Sequence, residues 1–197
     1  MGHFDLPIES LGEEAREFAF EANAGWWQAR DLEPRETLCE VEEPFRLVFE
    51  ARRVGEDVEL AGRMRGRVAL ECSRCAKRYS HALCEDFRLV LEPAGSREPA
   101  DPEGVAALAA HGLWLGEDLE AGWFRGSCVR LDDFFGEVIA LAMPLQPLCS
   151  EECPGICPHC GADRAEVRCT CADEKVESPF AVLAKLKGDE GGASERE

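Results

Sequence analysis

Closely spaced cysteines are the residues of this sequence that are best able to carry chemistry. Eleven cysteines are present, and six of them fall between Leu148 and Cys171. Paired thiolates with small or turn-forming residues between them are the usual ligands of a tetrahedral zinc ion, and two pairs complete its coordination shell. The sequence therefore predicts metal binding by four pairs, which are Cys72 and Cys75, Cys149 and Cys153, Cys157 and Cys160, and Cys169 and Cys171.

These eight cysteines are sufficient for two sites of four sulfurs each. The last four, here called the ribbon site, lie close enough in sequence to form a small local ribbon: Cys157, Cys160, Cys169 and Cys171. The first four, here called the hairpin site, join two distant pairs: Cys72, Cys75, Cys149 and Cys153. We prefer this grouping because it uses each close pair once, although spacing alone leaves other pairings open. Four sulfurs leave no ligand position for water, so we expect two structural zinc ions; iron also suits four thiolates.

Three cysteines and two histidines stand outside this scheme. Cys39, Cys84 and Cys128 lie outside the four closely spaced pairs, and we expect each to be a small buried hydrophobic residue. His81 and His159 are the alternative ligands. We expect His159, inside a knuckle loop, to face solvent instead.

Thiol–disulfide chemistry is the alternative function of the cysteine pairs. In thioredoxin-like enzymes a C-x-x-C motif lies where a strand meets a helix N-terminus, which lowers the thiol pKa. The residues after Cys75, AKRYSHAL, instead alternate as a strand does. The sequence contains no nucleophile elbow, phosphate loop, dinucleotide-binding fingerprint or H-E-x-x-H motif. We therefore expect no enzymatic activity, with a redox or redox-sensing protein as the alternative.

The composition is that of a globular chain in a reducing compartment. Hydrophobic residues make up 45% of the 197 residues, which is enough for one core domain. The first residues, MGHFDLPIES, lack the basic and apolar regions of a signal peptide. No apolar stretch approaches the roughly 18 residues of a membrane span. We expect a cytoplasmic protein without membrane contact, where paired cysteines favour metal over disulfides.

The charge is strongly acidic but unevenly distributed. The net charge of −18, from 40 acidic and 22 basic residues, opposes non-specific binding to nucleic acid. The segment 63–88 differs, because it holds seven basic and three acidic residues. On a strand, alternate arginines would project from one face and could contact phosphates. The candidate RNA contacts, here called the basic stripe, are Arg63, Arg65, Arg67, Arg74, Lys77 and Arg78.

Hydrophobic periodicity predicts an α+β fold: a curled antiparallel meander with flanking helices and a zinc-bound C-terminal ribbon. His3 to Ile8 is expected to be a short strand. The S-L-G-E sequence at Ser10 is a capping box, and the apolar spacing after it predicts a helix that ends at Gly25. From Glu43 to Pro93 the period changes to two, which predicts a meander with the first C-x-x-C pair at a hairpin tip.

The second half of the chain predicts further helices around the cysteine cluster. Cys128 to Leu131 is expected to be a strand, and Phe134 to Met143 a helix capped by Asp132 or Asp133. A short helix is expected from Phe180 to Lys187. We divide the chain into an α+β core domain (1–148), a cysteine-rich zinc ribbon (149–175), and a short C-terminal helix with a disordered acidic tail (176–197).

Three stretches of sequence carry a family resemblance. They are LECSRCAKRYSHAL at 70–83, VIALAMPLQPLCSEECPGICPHCGADRAEVRCTC at 138–171, and SPFAVLAKLK at 178–187. Their motifs, order and spacing resemble the bacterial large ribosomal RNA subunit accumulation proteins, the YceD-like family. The combination is specific, although each piece alone is not.

The resemblance implies a non-enzymatic cytoplasmic factor that large-subunit ribosomal RNA needs in order to accumulate, through its synthesis, processing or protection. It implies no catalytic residues. Genes of the family commonly neighbour that of a small basic zinc-containing protein of the large subunit. Because this sequence keeps the full set of cysteines, the two four-sulfur sites carry over to it. Two mechanisms follow: the acidic surface binds a basic ribosomal protein, or the basic stripe contacts ribosomal RNA.

Overall fold

The fold is a mixture of long strands and a few short helices. The computed structural model describes residues 3–30, 39–116 and 119–173. Two 3-10 turns lie at Ile8–Ser10 and Thr170–Asp173. In chain order the other elements are β1 (Asp5–Pro7), β2 (Arg16–Ala22), α1 (Ala24–Gln28), β3 (Glu40–Val54), β4 (Asp57–Glu71), β5 (Arg78–Pro93), α2 (Pro102–His111), β6 (Leu113–Leu115), β7 (Ala121–Phe124), β8 (Cys128–Arg130) and α3 (Asp132–Ala142).

Strands β3, β4 and β5 form the antiparallel meander that the period-two pattern predicts. Val54 pairs with Asp57 around a tight turn in which Gly55 has a φ of 68°. The pairing of β4 with β5 runs without a shift from Val58 opposite Leu91 to Glu71 opposite Arg78. Buried residues alternate with more exposed ones along much of both strands, as expected for a sheet with one face on the core.

The meander is extended on both sides into an open six-stranded sheet. The strand order is β2-β3-β4-β5-β7-β6, and only the β5–β7 pair is parallel. Strands β1 and β8 pair separately, which confirms a strand after Cys128. The α+β class with a mostly antiparallel sheet is therefore confirmed.

The helix predicted from Ser10 to Gly25 is wrong, because residues 16–22 are strand β2. Phe18 pairs with Phe49 across β3, and the two rings stack with centroids 5.6 Å apart. The sequence EFAFE alternates with period two, and packing of its aromatic side chains against the core overrides the local capping signal. A short helix, α1, begins later, where the Asn23 side chain accepts a hydrogen bond from Trp26 N at 2.9 Å.

Helix α3 covers the core face of the sheet and is confirmed in position, but its predicted cap is wrong. Leu131 is the N-cap, and no side chain caps the helix. Asp132 lies in the first turn and instead accepts hydrogen bonds from Phe4 N and from Trp26 Nε1, each at 2.9 Å. Its carboxylate thus ties the N-terminal segment and α1 to α3.

An aromatic cluster under α3 forms the centre of the core. The Phe135 ring lies 5.6 Å from the Phe49 ring and 5.7 Å from the rings of both Phe4 and Phe87. Such edge and tilted contacts stabilise by more than the buried area alone. Because these rings come from four separate segments, the cluster holds α3 on the sheet. It thereby sets the point at which the chain leaves α3.

The predicted helix from Phe180 to Lys187 and the acidic tail lie outside the described residues. Within the described ranges, no helix is both long enough and apolar enough to cross a membrane.

Candidate metal centres

The turn between β4 and β5 holds the first cysteine pair at the hairpin tip. Cys72 N donates to the Lys77 carbonyl at 2.9 Å, and Ala76 N donates to the Cys72 carbonyl at 2.8 Å. Ala76 has a φ of 56°, an uncommon conformation for a residue with a Cβ. This backbone closes the loop tightly around Cys72 and Cys75, which are both buried.

The chain that leaves α3 brings the second pair to the same place. It contacts the hairpin tip directly, since Ser73 N donates to the Pro147 carbonyl at 2.8 Å. Cys149 and Cys153 follow within a few residues. The core packing of α3 therefore positions one half of the hairpin site, and the meander positions the other half.

The sulfur spacing of the hairpin site fits a tetrahedral ion. Cys72 Sγ lies 3.8 Å from Cys153 Sγ, and Cys75 Sγ lies 3.8 Å from Cys149 Sγ. Four sulfurs at about 2.3 Å from one ion lie about 3.8 Å apart when arranged tetrahedrally. All four ligand atoms lie within 4.8 Å of one another. The donor set and its dimensions are thus those of a four-thiolate metal site.

The ribbon site is assembled by a second tight loop. Cys157 N donates to the Ala162 carbonyl at 2.8 Å, and Gly161 N donates to the Cys157 carbonyl at 2.9 Å. Gly161 has a φ of 72°, which glycine adopts without strain. Cys169 and Cys171 then return to this loop, so that the four ribbon sulfurs also lie within 4.8 Å of one another. The structure thus forms the same two sets of four that the sequence analysis preferred.

The two sites differ in burial. Three of the four hairpin-site cysteines are buried and Cys149 is exposed. In the ribbon site only Cys157 is buried, while Cys160 is exposed. The hairpin site is therefore part of the folded domain, whereas the ribbon site lies at its surface.

Backbone amides and neighbouring sulfurs set the acidity of the thiols. Hydrogen bonding by the backbone at Cys149 lowers the pKa of Cys72 to about 6. Hydrogen bonds from the backbone at Cys160 and His159 lower the pKa of Cys157 to about 6. A hydrogen bond with Cys153 together with burial raises the pKa of Cys149 to about 12. A bound cation would favour the thiolate at every ligand and so release the remaining protons.

The single cysteines and histidines have varied positions. Cys84 and Cys128 are exposed, so the expectation that they are buried is wrong; Cys84 follows buried Leu83 and therefore lies on the outward face of β5. Cys39 is half-buried and packs against the core. His159 is exposed. Neither histidine belongs to a metal-binding group in the described residues.

The first C-x-x-C pair does not lie at a helix N-terminus. Strand β5 begins at Arg78, directly after the turn that contains Cys75. The arrangement that activates thioredoxin-like thiols is therefore missing from this pair.

The basic stripe lies on the outward side of the hairpin and at its tip, and most of its charges are engaged within the molecule. Arg63 pairs with Asp86, with Nη2 to Oδ2 at 2.8 Å. Arg65 is the stripe residue whose side chain makes neither an ion pair nor a hydrogen bond among the described residues. The remaining stripe residues contact oxygen atoms as follows: Arg67 contacts Glu43, Arg78 contacts Glu40, Lys77 contacts Asp163 and Glu166, and Arg74 contacts the carbonyls of Glu151 and Cys153.

Arg74 and Lys77, which the charge pattern placed among the candidate RNA contacts, instead contact the segment that carries the later cysteines. The partners of Lys77 are Asp163 and Glu166, more than eighty positions away. A charge pattern within one strand contains no signal for such a distant pair. The predicted hairpin tip and the predicted grouping of the cysteines were the two signals that this tip lies beside the segment with the later cysteines.

The family model described as "Large ribosomal RNA subunit accumulation protein YceD" matches residues 60–187 of this chain. The match includes all eight cysteines of the two sites and most of β4 and β5.

Curated relatives are similar over most of this chain. A protein of Arabidopsis thaliana named "Large ribosomal RNA subunit accumulation protein YCED homolog 1, chloroplastic" is 23% identical, over 73% of this chain and 49% of its own length. The Zea mays protein of the same name is 29% identical, over 70% of this chain and 50% of its own. An uncharacterized Mycobacterium bovis protein is 26% identical, over 70% of this chain and 59% of its own.

The chain thus spans about half the length of the curated relatives that it matches. No solved structure matches the chain. The family model covers well over half of the 197 residues and includes the hairpin tip, α3 and both cysteine groups. The chain therefore belongs to the YceD family of large ribosomal RNA subunit accumulation proteins.

Proposed function

We propose that this protein is a non-enzymatic accessory factor of large ribosomal subunit biogenesis that supports accumulation of large-subunit ribosomal RNA. It holds two structural zinc ions and acts by binding a basic ribosomal protein. The family name supports the process. The two four-sulfur groups support the metal, because four-thiolate geometry suits zinc and leaves no position for a reacting water. The proposal keeps the expected cytoplasmic location, where paired cysteines favour metal over disulfides.

The neutralisation of the basic stripe is the observation that carries the choice of partner. Binding to RNA depends on cationic side chains that displace counterions from phosphates. Arg63 and Arg67 already pair with Asp86 and Glu43. An RNA phosphate would have to displace these carboxylates, so the stripe offers little net attraction.

The acidic excess supports a basic protein as the partner. The net charge of the chain is −18. The basic stripe was the place where a positive patch was expected. On the segment before and within β2, several exposed glutamates have no ion pair among the described residues, for example Glu13, Glu14 and Glu17. An acidic surface attracts a basic ribosomal protein and shields it from unproductive contacts with RNA.

The two other candidate mechanisms make different predictions. Contact with ribosomal RNA depends on Arg65, whose charge is not engaged by an ion pair within the described ranges. The redox alternative needs an accessible activated thiol, but Cys72, whose pKa is lowered, is 2% exposed. Both alternatives are therefore less well supported than binding of a basic protein.

The test is co-purification of the tagged full-length protein from lysate at low salt, with half of the sample treated with nuclease. RNA and protein are identified in both halves. We expect a basic ribosomal protein to remain at near one-to-one stoichiometry after nuclease treatment. The matched variant replaces Arg63, Arg65 and Arg67 with glutamine and is expected to recover the same protein.

Two other results would contradict the proposal. Recovery of large-subunit RNA that disappears on nuclease treatment and in the arginine variant, with no stoichiometric protein, would support direct RNA contact. Turnover of a disulfide substrate that is lost in a Cys72→Ser variant would support the redox alternative.

A further inference from the structure

We propose that the two metal sites are filled in order and are coupled: the hairpin site binds its ion first, and Lys77 and Arg74 then hold the ribbon in place for the second ion. This inference rests on the metal binding proposed above. It assigns to two residues of the first knuckle a positioning role at the second site.

Arg74 joins the hairpin tip to the segment that connects the two sites. Its Nη1 donates to the carbonyls of Glu151 and Cys153, each at 3.0 Å. Its own carbonyl accepts a hydrogen bond from Ile156 N at 2.9 Å. The residue between the two ligands of the first knuckle therefore fixes the backbone on which Cys157 begins the ribbon site.

Gly155 allows this close approach. It has a φ of 72°, and a Cβ built on it would lie 2.8 Å from the Arg74 carbonyl oxygen. Its carbonyl accepts a hydrogen bond from Arg164 N at 3.1 Å. Only glycine fits here without moving backbone, so the two knuckle loops meet through main-chain atoms.

Lys77 makes the second connection, through its side chain. Its Nζ lies 2.5 Å from Asp163 Oδ2 and 2.6 Å from Glu166 Oε1. Both acids lie between the two cysteine pairs of the ribbon site. Asp163 is further fixed because its Oδ1 accepts a hydrogen bond from Ala165 N at 2.8 Å. A lysine next to one site thus holds the loop that closes the other.

Burial and chain connectivity set the order of filling. The hairpin site has three buried cysteines and is positioned by the meander and by α3. The ribbon site has one buried cysteine and is positioned by its own loop and by the contacts of Arg74 and Lys77. A metal ion binds more tightly to ligands that are already in place, because less chain entropy is lost on binding.

Coupling follows from the same contacts. When the hairpin ion fixes Cys75, it fixes Lys77 and Arg74, which lie within two residues of that ligand. The ribbon then meets an ordered surface, and its ion binds with a smaller loss of freedom. By thermodynamic reciprocity, an ion in the ribbon site tightens the hairpin site by the same factor.

Titration of the reduced, metal-free full-length protein with cadmium, followed by cadmium NMR, tests the order. We expect the first equivalent to give one resonance and the second equivalent to add another. A Cys169→Ser variant, which lacks one ribbon ligand, assigns the signals, because it should keep the first resonance and lose the second. Appearance of the ribbon resonance first, or of both together in equal proportion from the start, contradicts the order.

Replacement of Lys77 tests the coupling. In Lys77→Met we expect the affinity of the ribbon site, measured by competition with a chromophoric chelator, to fall about tenfold. The first resonance should be retained, and Lys77→Arg should restore most of the affinity. Arg88→Met, which removes a charge of the same hairpin away from the ribbon, is the matched control and should change neither site.

The outcomes separate this inference from the function proposed above. A ribbon affinity that is unchanged in Lys77→Met overturns the coupling but leaves two metal sites and the partner protein intact. Failure of the wild-type protein to bind any cadmium through its thiolates overturns the coupling and the structural zinc ions together.

Discussion

At the scale of single residues, the cysteines differ in the pKa of the thiol, and so in how easily each one loses its proton to bind a metal ion. The pKa values of Cys72 and Cys157 are each lowered to about 6, mainly by backbone hydrogen bonds. The pKa of Cys149 is raised to about 12 and that of Cys171 to about 11 by neighbouring sulfurs and burial. These protons must leave before four sulfurs can bind one ion.

The expected result is a metal affinity that rises with pH. Zinc binding competes with protons for the thiols of raised pKa, so affinity should increase steadily from pH 6 to pH 8 and fall further below pH 6, where Cys72 and Cys157 also become protonated. Calorimetry in buffers of different ionisation enthalpy measures the protons released. Binding that is independent of pH over this range would contradict thiolate ligation.

Within the described residues, the Asp132 side chain connects the N-terminal segment and α1 to α3. We expect Asp132→Ala to lower the free energy of unfolding by roughly 2–4 kcal/mol, since it removes two hydrogen bonds to a charged acceptor and leaves Trp26 Nε1 without a partner. Asp133→Ala is the matched control. Its exposed carboxylate pairs with His111 and, at 3.8 Å, with Arg30, and the cost should stay below about 1 kcal/mol. Urea denaturation measures both, and equal losses would contradict this role.

At the scale of elements, local patterns predicted the long strands and α3 but not the N-terminal region. The period-two alternation continues from Glu43 to Pro93, and the apolar stripe of α3 continues over several helical turns. Patterns of this length reflect the core that the strands and the helix face. The helix expected from Ser10 rested on one capping motif. The aromatic residues of β2 are partly buried by contacts with β3 and α3, and no local window of sequence contains these contacts.

Gly62 of β4 is a second example of a contact that the local sequence pattern does not reveal. Gly62 lies opposite Phe49 within a continuous strand, and the register shifts are found in β3, between Val41 and Arg46. A Cβ built on Gly62 would lie 2.2 Å from Phe49 Cβ and 2.4 Å from the Val48 carbonyl oxygen. The glycine therefore makes room for a neighbouring aromatic residue, which a single-strand pattern does not reveal.

Gly62→Ala should consequently lower the free energy of unfolding by about 1–3 kcal/mol, because backbone must move to admit the methyl group. Gly12→Ala is the control, since a Cβ there would meet nothing within 4 Å. Its effect should stay within about 0.5 kcal/mol. The midpoints of urea unfolding compare the two variants, and a neutral Gly62→Ala would contradict the close approach.

At the scale of the whole molecule, the site was more predictable than the fold around it. Cysteine spacing identified the four close pairs, because ligand chemistry imposes short loops within each pair, but it left the grouping of the pairs open. It contained no information on the contacts of Arg74 and Lys77, which depend on how the meander and α3 are packed. The buried core and the buried hairpin cysteines form separate clusters, so the two parts are expected to respond differently to metal loss.

Removal of metal under reducing conditions should loosen the cysteine-rich segment and leave the sheet folded. We expect trypsin to cut faster at Arg164 and Arg168 after chelation, while hydrogen exchange in β3 to β5 changes little, because their protection comes from the aromatic core. Readdition of zinc should restore resistance. Complete loss of protection in the sheet would show that the metal sites hold the whole domain together.

The number of metal ions in the native protein tests the central claim most directly. Native mass spectrometry of full-length protein, purified without chelator under reducing conditions, should give the mass of one chain with two zinc ions, and denaturation should release both and leave all cysteines as thiols. A Cys169→Ser variant should carry one. A native mass without metal, or one reduced by disulfide formation among the eight cysteines, would contradict two structural four-thiolate sites.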